Sequence, residues 1–253
     1  ARVLGLGAWL DRTALTPIVG ALFAQNDLAA VAAVFPARYR AYMSLVEGVQ
    51  TQPTSTLVAY TGSPLLDLAG VGHVVCRSGS CPASWTEIYR DAHAAIARNP
   101  RPAPRGFAPS ALEAASDMSE ALSRLRVLSE ARRLPGTAVV EAPAEVVARL
   151  AGGSAAVEIA EYEPTRVVLM VRATAPVLIV LTDTWDSGWG AEVDGARAPI
   201  YPTDVLFRGI PVAAGEHRVV LRYRPLAFAA GLLVALCSVA AVIVGARRGR
   251  ERG

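Results

Sequence analysis

The chain has 253 residues, 53% of them apolar, and all 25 of its basic residues are arginine. Its formal net charge of +3 comes from the carboxyl-terminal segment 247–253, where four arginines accompany one glutamate. The remainder balances acidic against basic residues, which argues against a nucleic-acid-binding surface. The apolar excess instead favours contact with a membrane.

Short strands and helices alternate in the first third of the chain. Ser63 followed by Pro64 is typical of a helix start, because serine accepts from free amide groups and proline fits the first helical position. Gly70 then ends this helix. The predicted elements are a strand over Arg2–Leu6, a helix that follows Pro36–Tyr39 and runs through Glu47, the short helix after Ser63, and a strand over Val71–Cys76.

Cys76 and Cys81 enclose a four-residue turn, RSGS. In an oxidising compartment such a pair can form a disulfide, and the sequence leaves open whether this one does. No histidine or further cysteine stands at zinc-site spacing, so we expect no metal. His73, His93 and His217 are scattered, and each is expected to make a local hydrogen bond.

The stretch from residue 85 to residue 141 predicts one helix between extended pieces. Ser110 and Glu113 have the spacing of a capping box, which predicts a helix start there. Glu120 and Arg124 form an i,i+4 pair on the same helix. The predicted elements are a strand over Trp85–Ala92, a connector over 98–104, an extended piece over Arg105–Pro109, a helix carrying Met118, Leu122, Leu125 and Leu128, and a strand over Thr137–Glu141.

Closely spaced strands follow a Gly-Gly pair at 152–153. Val177–Leu181 is apolar throughout, so both faces of this strand are expected to be covered. Asp194-Gly195, between two strands, predicts a hairpin turn. The region is typical of a compact antiparallel β-sandwich of about 70 residues.

Residues 226–246 form an uncharged run that is long enough, at about 1.5 Å per residue, to cross a bilayer's hydrocarbon core. The alternative is a buried core helix, but the run has no polar stripe to face water. The dense arginines after it indicate a cytoplasmic carboxyl terminus and an external preceding domain. An external domain needs an export signal, which ARVLGLGAWL at the start does not provide. Earlier spans of a longer protein would supply one, whereas a tail-anchored protein would keep the domain inside.

We therefore expect an α+β fold with a mixed α/β amino-terminal part, a small antiparallel β-sandwich and one carboxyl-terminal transmembrane helix. The predicted divisions are an extracytoplasmic α/β domain at 1–142, a linker at 143–154, the β-sandwich domain at 155–225, the transmembrane helix at 226–246 and a basic cytoplasmic tail at 247–253.

The segment TDTWDSGWGAEVDG, residues 182–195, concentrates acids, tryptophans and glycines. Trp185 and Trp189 suit stacking on a sugar ring, although tryptophan beside a tight turn more often packs in a core. Asp183 and Asp186 suit acid–base chemistry at a glycosidic bond. Aspartate at a strand end, however, more often caps a turn.

Arg208 suits a clamp for a carboxylate or phosphate, with an ion pair or a membrane-surface position as the alternative. The sequence has no Gly-rich phosphate loop, nucleophile elbow or internal repeat. The candidate glycan contacts are therefore Trp185, Trp189, Asp183 and Arg208, with no catalytic residue among them.

Three stretches carry a family resemblance. They are SPLLDLAGVGHVV from Ser63, NPRPAPRGF from Asn99, and TDTWDSGWGAEVDGARAPIYPTDVLFRGIPVAAGEHRVVLRYRP from Thr182. In this order, and followed by an apolar run, they resemble the carboxyl-terminal part of YfhO-type bacterial membrane proteins. The third stretch is the most specific, and its agreeing positions are Gly188-Trp189, Val193-Asp194-Gly195, Phe207-Arg208, Pro211, Gly215 and His217.

That resemblance implies a place among large polytopic proteins related to the GT-C glycosyltransferases, which move sugars from polyprenyl-phosphate donors onto cell-surface polymers. Their catalytic acid lies in an external loop between amino-terminal spans, and no such loop is present in this chain. The resemblance thus implies an extracytoplasmic accessory or lid domain at the bacterial cell membrane, non-catalytic alone and without a cofactor. The expected partners are the lipid bilayer, a polyprenyl-phosphate sugar or cell-surface glycan, and an upstream transmembrane region or separate polytopic protein, but not nucleic acid.

Two other function classes remain open from the sequence. One is a standalone membrane-anchored module for glycan binding or adhesion, which predicts sugar binding through Trp185 or Trp189. The other is a structural subunit of a polytopic membrane complex, for which Ala230, Ala241 and Gly245 offer a small-residue helix face.

Overall fold

Four β-sheets and several helices make up the part of the chain that the structure, a computed structural model, describes. The described residues are 2–5, 36–46, 49–52, 55–58, 62–225, 230–231 and 234–239. Strands dominate and most pair antiparallel, which confirms the α+β class.

Up to residue 225, the strands precede and follow four helices in the described part of the chain. The strands are β1 (Arg2–Gly5), β2 (Val49–Gln52), β3 (Ser55–Val58), β4 (Val71–Arg77), β5 (Thr86–Arg90), β6 (Ala94–Arg98), β7 (Gly106–Phe107), β8 (Ala111–Ala115), β9 (Thr137–Glu141), β10 (Ala155–Glu163), β11 (Arg166–Ala173), β12 (Val177–Leu181), β13 (Trp189–Val193), β14 (Ala196–Ala198), β15 (Tyr201–Thr203), β16 (Phe207–Val212) and β17 (Gly215–Tyr223). The helices are α1 (Ala37–Leu45), α2 (Pro64–Leu68), α3 (Met118–Glu130) and α4 (Ala144–Leu150).

A six-stranded sheet in the order β7-β12-β16-β15-β9-β8 forms the centre of the fold. β12 pairs antiparallel with β16 on one side and with β7 on the other. β8 and β9 are parallel and are connected by α3, which makes a β–α–β unit. Strands on both sides of residues 143–154 are thus hydrogen bonded within one sheet, and the predicted linker itself contains α4. The proposed division into two domains stays a prediction.

Both faces of β12 are covered, as its uninterrupted apolar sequence predicts. Val177, Ile179 and Leu181 belong to a core shared with β11, β13, β16 and β17. Leu178 and Val180 belong to a second core, which is built with α1, α3, α4 and β9. One strand therefore joins the two hydrophobic cores, because successive side chains along a strand point to opposite faces.

The second large sheet is antiparallel, in the order β10-β11-β17-β13-β14, and packs on the first through the core that contains Leu169 and Leu221. Asp194 and Gly195 form the predicted hairpin turn between β13 and β14, with φ values of 51° and 86°. Both central residues of such a turn require positive φ, which suits aspartate followed by glycine. His217 contacts Asp194 through Nδ1 at 2.7 Å, the local hydrogen bond expected for it.

The remaining sheets lie in the amino-terminal part, in the orders β1-β4-β6-β5 and β2-β3. The Ser63 hydroxyl accepts from the Leu65 amide at the start of α2, and Gly70 follows this helix with a φ of 70°. Cys76 on β4 and Cys81 form a disulfide. Leu6 and Glu47, the predicted ends of the first strand and first helix, lie outside the described residues.

The capping box predicted at Ser110 and Glu113 is wrong, because this segment is strand β8. The helix begins at Met118 instead. Asp117 accepts from the amides of Ser119 and Glu120, and the Glu120 carboxylate accepts from the Ser116 amide. The reciprocal cap therefore stands a few residues downstream, while segment 111–115 pairs in parallel with β9.

Most of the predicted membrane span, residues 226–246, lies outside the described residues, as does the whole tail at 247–253. Residues 230–231 and 234–239 are described and are helical. Within the described ranges, no helix has the length and apolar character that a membrane crossing requires.

Asp204 is fully buried in the six-stranded sheet, between β15 and β16. Its amide donates to the Val139 carbonyl at 2.7 Å, and its Oδ1 accepts from the Val139 amide at 2.8 Å. Oδ2 has no partner among the described residues. Burial raises the pKa of Asp204 to about 7. The carboxyl group thus adds a second hydrogen bond to β9, but burial raises the free energy of its ionised form.

We expect the contribution of Asp204 to stability to fall as pH rises from about 4 to about 7. Because the Asp204 pKa is raised in the folded state, the unfolded chain loses this proton first, which favours unfolding across that window by on the order of 4 kcal/mol. An Asp204→Asn variant keeps an acceptor for the Val139 amide and does not titrate. The difference in unfolding free energy between variant and parent, measured by denaturant titration, should grow from pH 4 to pH 7. A difference that is constant with pH would contradict this assignment.

Candidate functional site

The candidate residues of the sequence lie where one end of the six-stranded sheet meets one end of the five-stranded sheet. Leu181, the last residue of β12, pairs with Arg208 on β16 and with Gly106 on β7. Trp189, the first residue of β13, pairs with Tyr223, the last residue of β17. The loop 182–188 crosses between the two sheets at this end. The fold therefore brings Asp183, Trp189 and Arg208 into one cluster, although Arg208 stands far along the sequence.

Asp183 is the second residue after β12 and is almost completely buried, with 8% of its surface exposed. Its Oδ1 accepts from the Arg2 guanidinium at 3.1 Å and lies 3.7 Å from Nε of Arg105. The Tyr162 hydroxyl lies 3.2 Å from both carboxylate oxygens. Arg2 also donates to the Thr182 carbonyl. Asp183 is thus the shared anion of a buried polar network.

Arg208 is buried and stacks on an aromatic ring. Its guanidinium carbon lies 3.7 Å from the centre of the Trp189 ring, and Nε donates to the Thr184 carbonyl at 2.9 Å. Nη1 is buried and finds no acceptor among the described residues. Burial lowers the pKa of Arg208 to about 10, against the raising effect of the Asp183 charge. The charge remains on this side chain at neutral pH.

The two tryptophans of the cluster are half-buried, and each has a guanidinium group against its ring. Trp189 also contacts the Tyr223 ring, with 5.3 Å between ring centres. Trp185 has Arg38 at 4.8 Å from its ring centre and donates through its indole N–H to the Ile200 carbonyl at 3.3 Å. Because neighbouring side chains already cover these rings, the geometry favours packing over a free sugar-stacking platform.

Asp186 does not act as a second carboxylate beside Asp183 in a shared hydrogen-bond network. Its Oδ1 accepts from the Gly188 amide at 2.8 Å, which is a turn cap. Asp183 is instead engaged by two arginines and a tyrosine. These partners suit a charge that orients cations, whereas a general base must reach a substrate proton.

The sequence did not identify Arg2, Arg105 and Tyr162 as site residues. Arg2 reaches Asp183 across a separation of 181 residues, and the sequence contains no local signal for such a pairing. Arg105 stands in the proline-rich segment NPRPAPRGF, and this arginine flanked by prolines and glycine was the available signal. Its guanidinium carbon lies 4.3 Å from the centre of the Tyr162 ring.

A pocket of ≈ 440 Å³ opens beside this network, and we name it the arginine pocket. Arg2, Arg105 and Thr182 form its polar wall, and Pro104 and Ile159 belong to its apolar wall. Among the residues that the structure describes, no group of three or more metal-ligating side chains is present. The pocket can therefore offer positive charge and hydrogen-bond donors to a ligand.

The Cys76–Cys81 disulfide lies away from the cluster. Cys76 follows Val71, the residue of β4 that pairs with Arg2, by five positions, or about 16 Å along the strand. The disulfide therefore tethers the opposite end of β4 and does not contribute to the arginine pocket.

The cluster lies next to the point where the described domain ends at Pro225. A Cβ atom added to Gly188 would lie 2.6 Å from the Tyr223 ring and 3.2 Å from the Pro225 Cα. The Arg224 amide donates to the Gly188 carbonyl at 2.7 Å. The loop that carries the tryptophans is thus packed directly against the chain that leads into the apolar run.

Comparison with known families locates a match in the same part of the molecule. The model of the family described as "Bacterial membrane protein YfhO" matches residues 146–235, less than half of the chain. No curated protein and no solved structure matches the chain. The matched residues include most of α4, the whole five-stranded sheet and three strands of the six-stranded sheet, β12, β15 and β16. The resembling stretches from Ser63 and Asn99 precede them. Residues 146–235 are therefore similar to a region of the YfhO-type bacterial membrane proteins, as the block from Thr182 predicts.

Proposed function

We propose that this chain is the extracytoplasmic accessory part of a YfhO-type membrane glycosyltransferase. In this role it covers or positions a polyprenyl-phosphate-linked sugar, or the acceptor polymer, at the membrane surface. The observation that carries the proposal is the position of the Asp183–Arg208–Trp189 cluster within the YfhO-type region and directly beside Pro225.

The composition of that end of the domain supports a location at the membrane surface. Trp189, Tyr223 and Arg208 are packed together there, and Arg224 follows exposed. Tryptophan and tyrosine are enriched where a membrane meets water, and arginine there contacts lipid headgroups. The uncharged run that begins at residue 226 would then enter the bilayer within a few residues of the cluster.

The chemistry of the same cluster supports a role in binding without bond cleavage. The Asp183 carboxylate is surrounded by Arg2, Arg105 and Tyr162, and Asp186 caps a turn. The reacting acid would be supplied by another region, either upstream spans or a separate polytopic partner. Because guanidinium groups and Tyr223 cover the two tryptophan rings, a standalone adhesion module that uses these rings gains no support.

We expect Trp189 to lie near the headgroups when the chain is reconstituted in lipid vesicles. Lipids brominated near the headgroup should quench tryptophan emission, and that quenching should fall in a Trp189→Phe variant, with Trp185 of the same cluster accounting for the quenching that remains. Trp85, which precedes the far edge strand of the amino-terminal sheet, provides the matched control, so Trp85→Phe should leave the quenching intact. Equal quenching in the parent and in Trp189→Phe would contradict the proposed location.

An extracytoplasmic position also predicts the redox state of the three cysteines in cells. Disulfides persist outside the cytosol and are rare within it. After acid trapping and denaturation without reductant, a maleimide-linked polymer should attach to the chain once, at Cys237, and lower its gel mobility by one step. After reduction the polymer should attach three times and lower the gel mobility by three steps, because Cys76 and Cys81 are then free. Three labels without reductant would place the domain on the cytosolic side.

Glycosyl transfer itself distinguishes an accessory role from a catalytic one. We expect Asp183→Asn to raise KM by about three- to tenfold and to change kcat by less than about tenfold, because a group that only positions ligand contributes mainly to ground-state binding. The assay measures transfer to polymer in membranes that contain the whole transferase, with a panel of polyprenyl-phosphate-linked hexoses. Asp186→Asn serves as the paired variant. A loss of kcat by about 10³-fold in either folded variant would instead indicate general acid–base catalysis.

A further inference from the structure

Arg105 has an unusual set of contacts for a guanidinium group that is largely covered. Its side chain is 23% exposed, and its guanidinium carbon lies over the Tyr162 ring at 4.3 Å from the ring centre. Its nearest anion, Asp183, is 3.7 Å from Nε, which is an ion-pair distance and too long for a hydrogen bond. Within the described ranges, none of the Arg105 side-chain N–H groups has an acceptor.

This side chain is nevertheless held in one orientation. Tyr162 covers one face of the guanidinium group, and its hydroxyl is hydrogen bonded to Asp183. The Arg105 carbonyl accepts from the Thr182 amide at 2.8 Å, which fixes the backbone at the end of β12. This guanidinium group is stacked on a ring and oriented by a nearby charge, but its N–H groups make no hydrogen bond to the residues that the structure describes. It can therefore donate two parallel hydrogen bonds to the two oxygens of a carboxylate or phosphate group.

The charges around the pocket favour an anion. Arg2, Arg105 and Arg208 share Asp183 as their common anionic neighbour, and Arg208 has Asp186 as a second one, so three cations face two carboxylates. Arg2 uses its donors on the Ala69 carbonyl, Thr182 and Asp183. Arg105 is consequently the member of this set that lines the pocket with its donors available.

We infer that the arginine pocket binds the carboxylate or phosphate group of a small anionic sugar, with Arg105 as the bidentate contact. The volume of ≈ 440 Å³ is within the range of small-molecule sites, and Pro104 and Ile159 can pack against a ring. The anionic character of the ligand rests on the pocket alone, whereas its being a sugar rests on the proposed function.

Titration calorimetry on the full 253-residue chain tests this inference. A polyoxyethylene detergent is suitable because it carries neither phosphate nor sugar. The probes are inorganic phosphate, glucuronate, glucose 6-phosphate and neutral glucose. We expect both anionic sugars to bind at least about tenfold more tightly than glucose, as a charge-assisted bidentate contact provides. The tighter of the two identifies the anionic group.

Arg105→Gln should weaken binding of the anionic sugars by at least about tenfold, and Arg105→Lys should recover only part of the loss because it keeps the charge without the fork. Arg101→Gln is the matched control, since it removes the same charge from an exposed position in the same segment and should change affinity by less than about twofold. Thermal unfolding verifies that each variant is folded.

Two results would overturn the inference in different ways. If no anion binds, or if Arg105→Gln and Arg101→Gln behave alike, the anion pocket is refuted while the proposed membrane-surface role is untouched. If inorganic phosphate binds through Arg105 as tightly as both anionic sugars, the pocket is an anion site but not a sugar site. The arginine pocket would then give no support to the proposed function.

Discussion

The structure depends on the burial of β12 on both faces. Its odd-numbered residues, Val177, Ile179 and Leu181, pack in one core, and Leu178 and Val180 pack in the other. Hydrophobic burial does not specify direction by itself, but a strand enclosed on two sides has only one register that keeps all five side chains from water. The residues that follow it, Thr182 and Asp183, therefore emerge at a fixed place, and the polar network is assembled around that point.

The use of arginine in place of lysine has a structural role in the cluster around Asp183. Three aromatic rings of the site, those of Trp185, Trp189 and Tyr162, each have a guanidinium group within 5 Å of the ring centre. A planar guanidinium group can stack on a ring while donating hydrogen bonds at its edge, which the ammonium group of lysine cannot do. Aromatic side chains here thus orient cations, and those cations define the polar surface of the arginine pocket.

Local sequence signals predicted much of the fold, and non-local pairing was beyond their reach. The strand Thr137–Glu141, the double-sided burial of Val177–Leu181 and the Asp194-Gly195 turn follow from composition within a few residues, and the structure confirms them. Ser110 and Glu113 satisfied a helix-start spacing by chance, because pairing of β8 with β9 outweighs a weak local preference. The contact of Arg2 with Asp183 could not be predicted, since nothing near either residue specifies the other.

Gly188 has a mechanical consequence for the whole domain. Any side chain at position 188 would collide with Tyr223 and Pro225. The loop and the outgoing chain are therefore in direct backbone contact, with no side chain of residue 188 between them. Closely packed surfaces of this kind transmit small displacements and do not absorb them. A displacement of the chain beyond Pro225 would therefore produce strain at Trp189, so that whatever moves this outgoing segment can also affect the site.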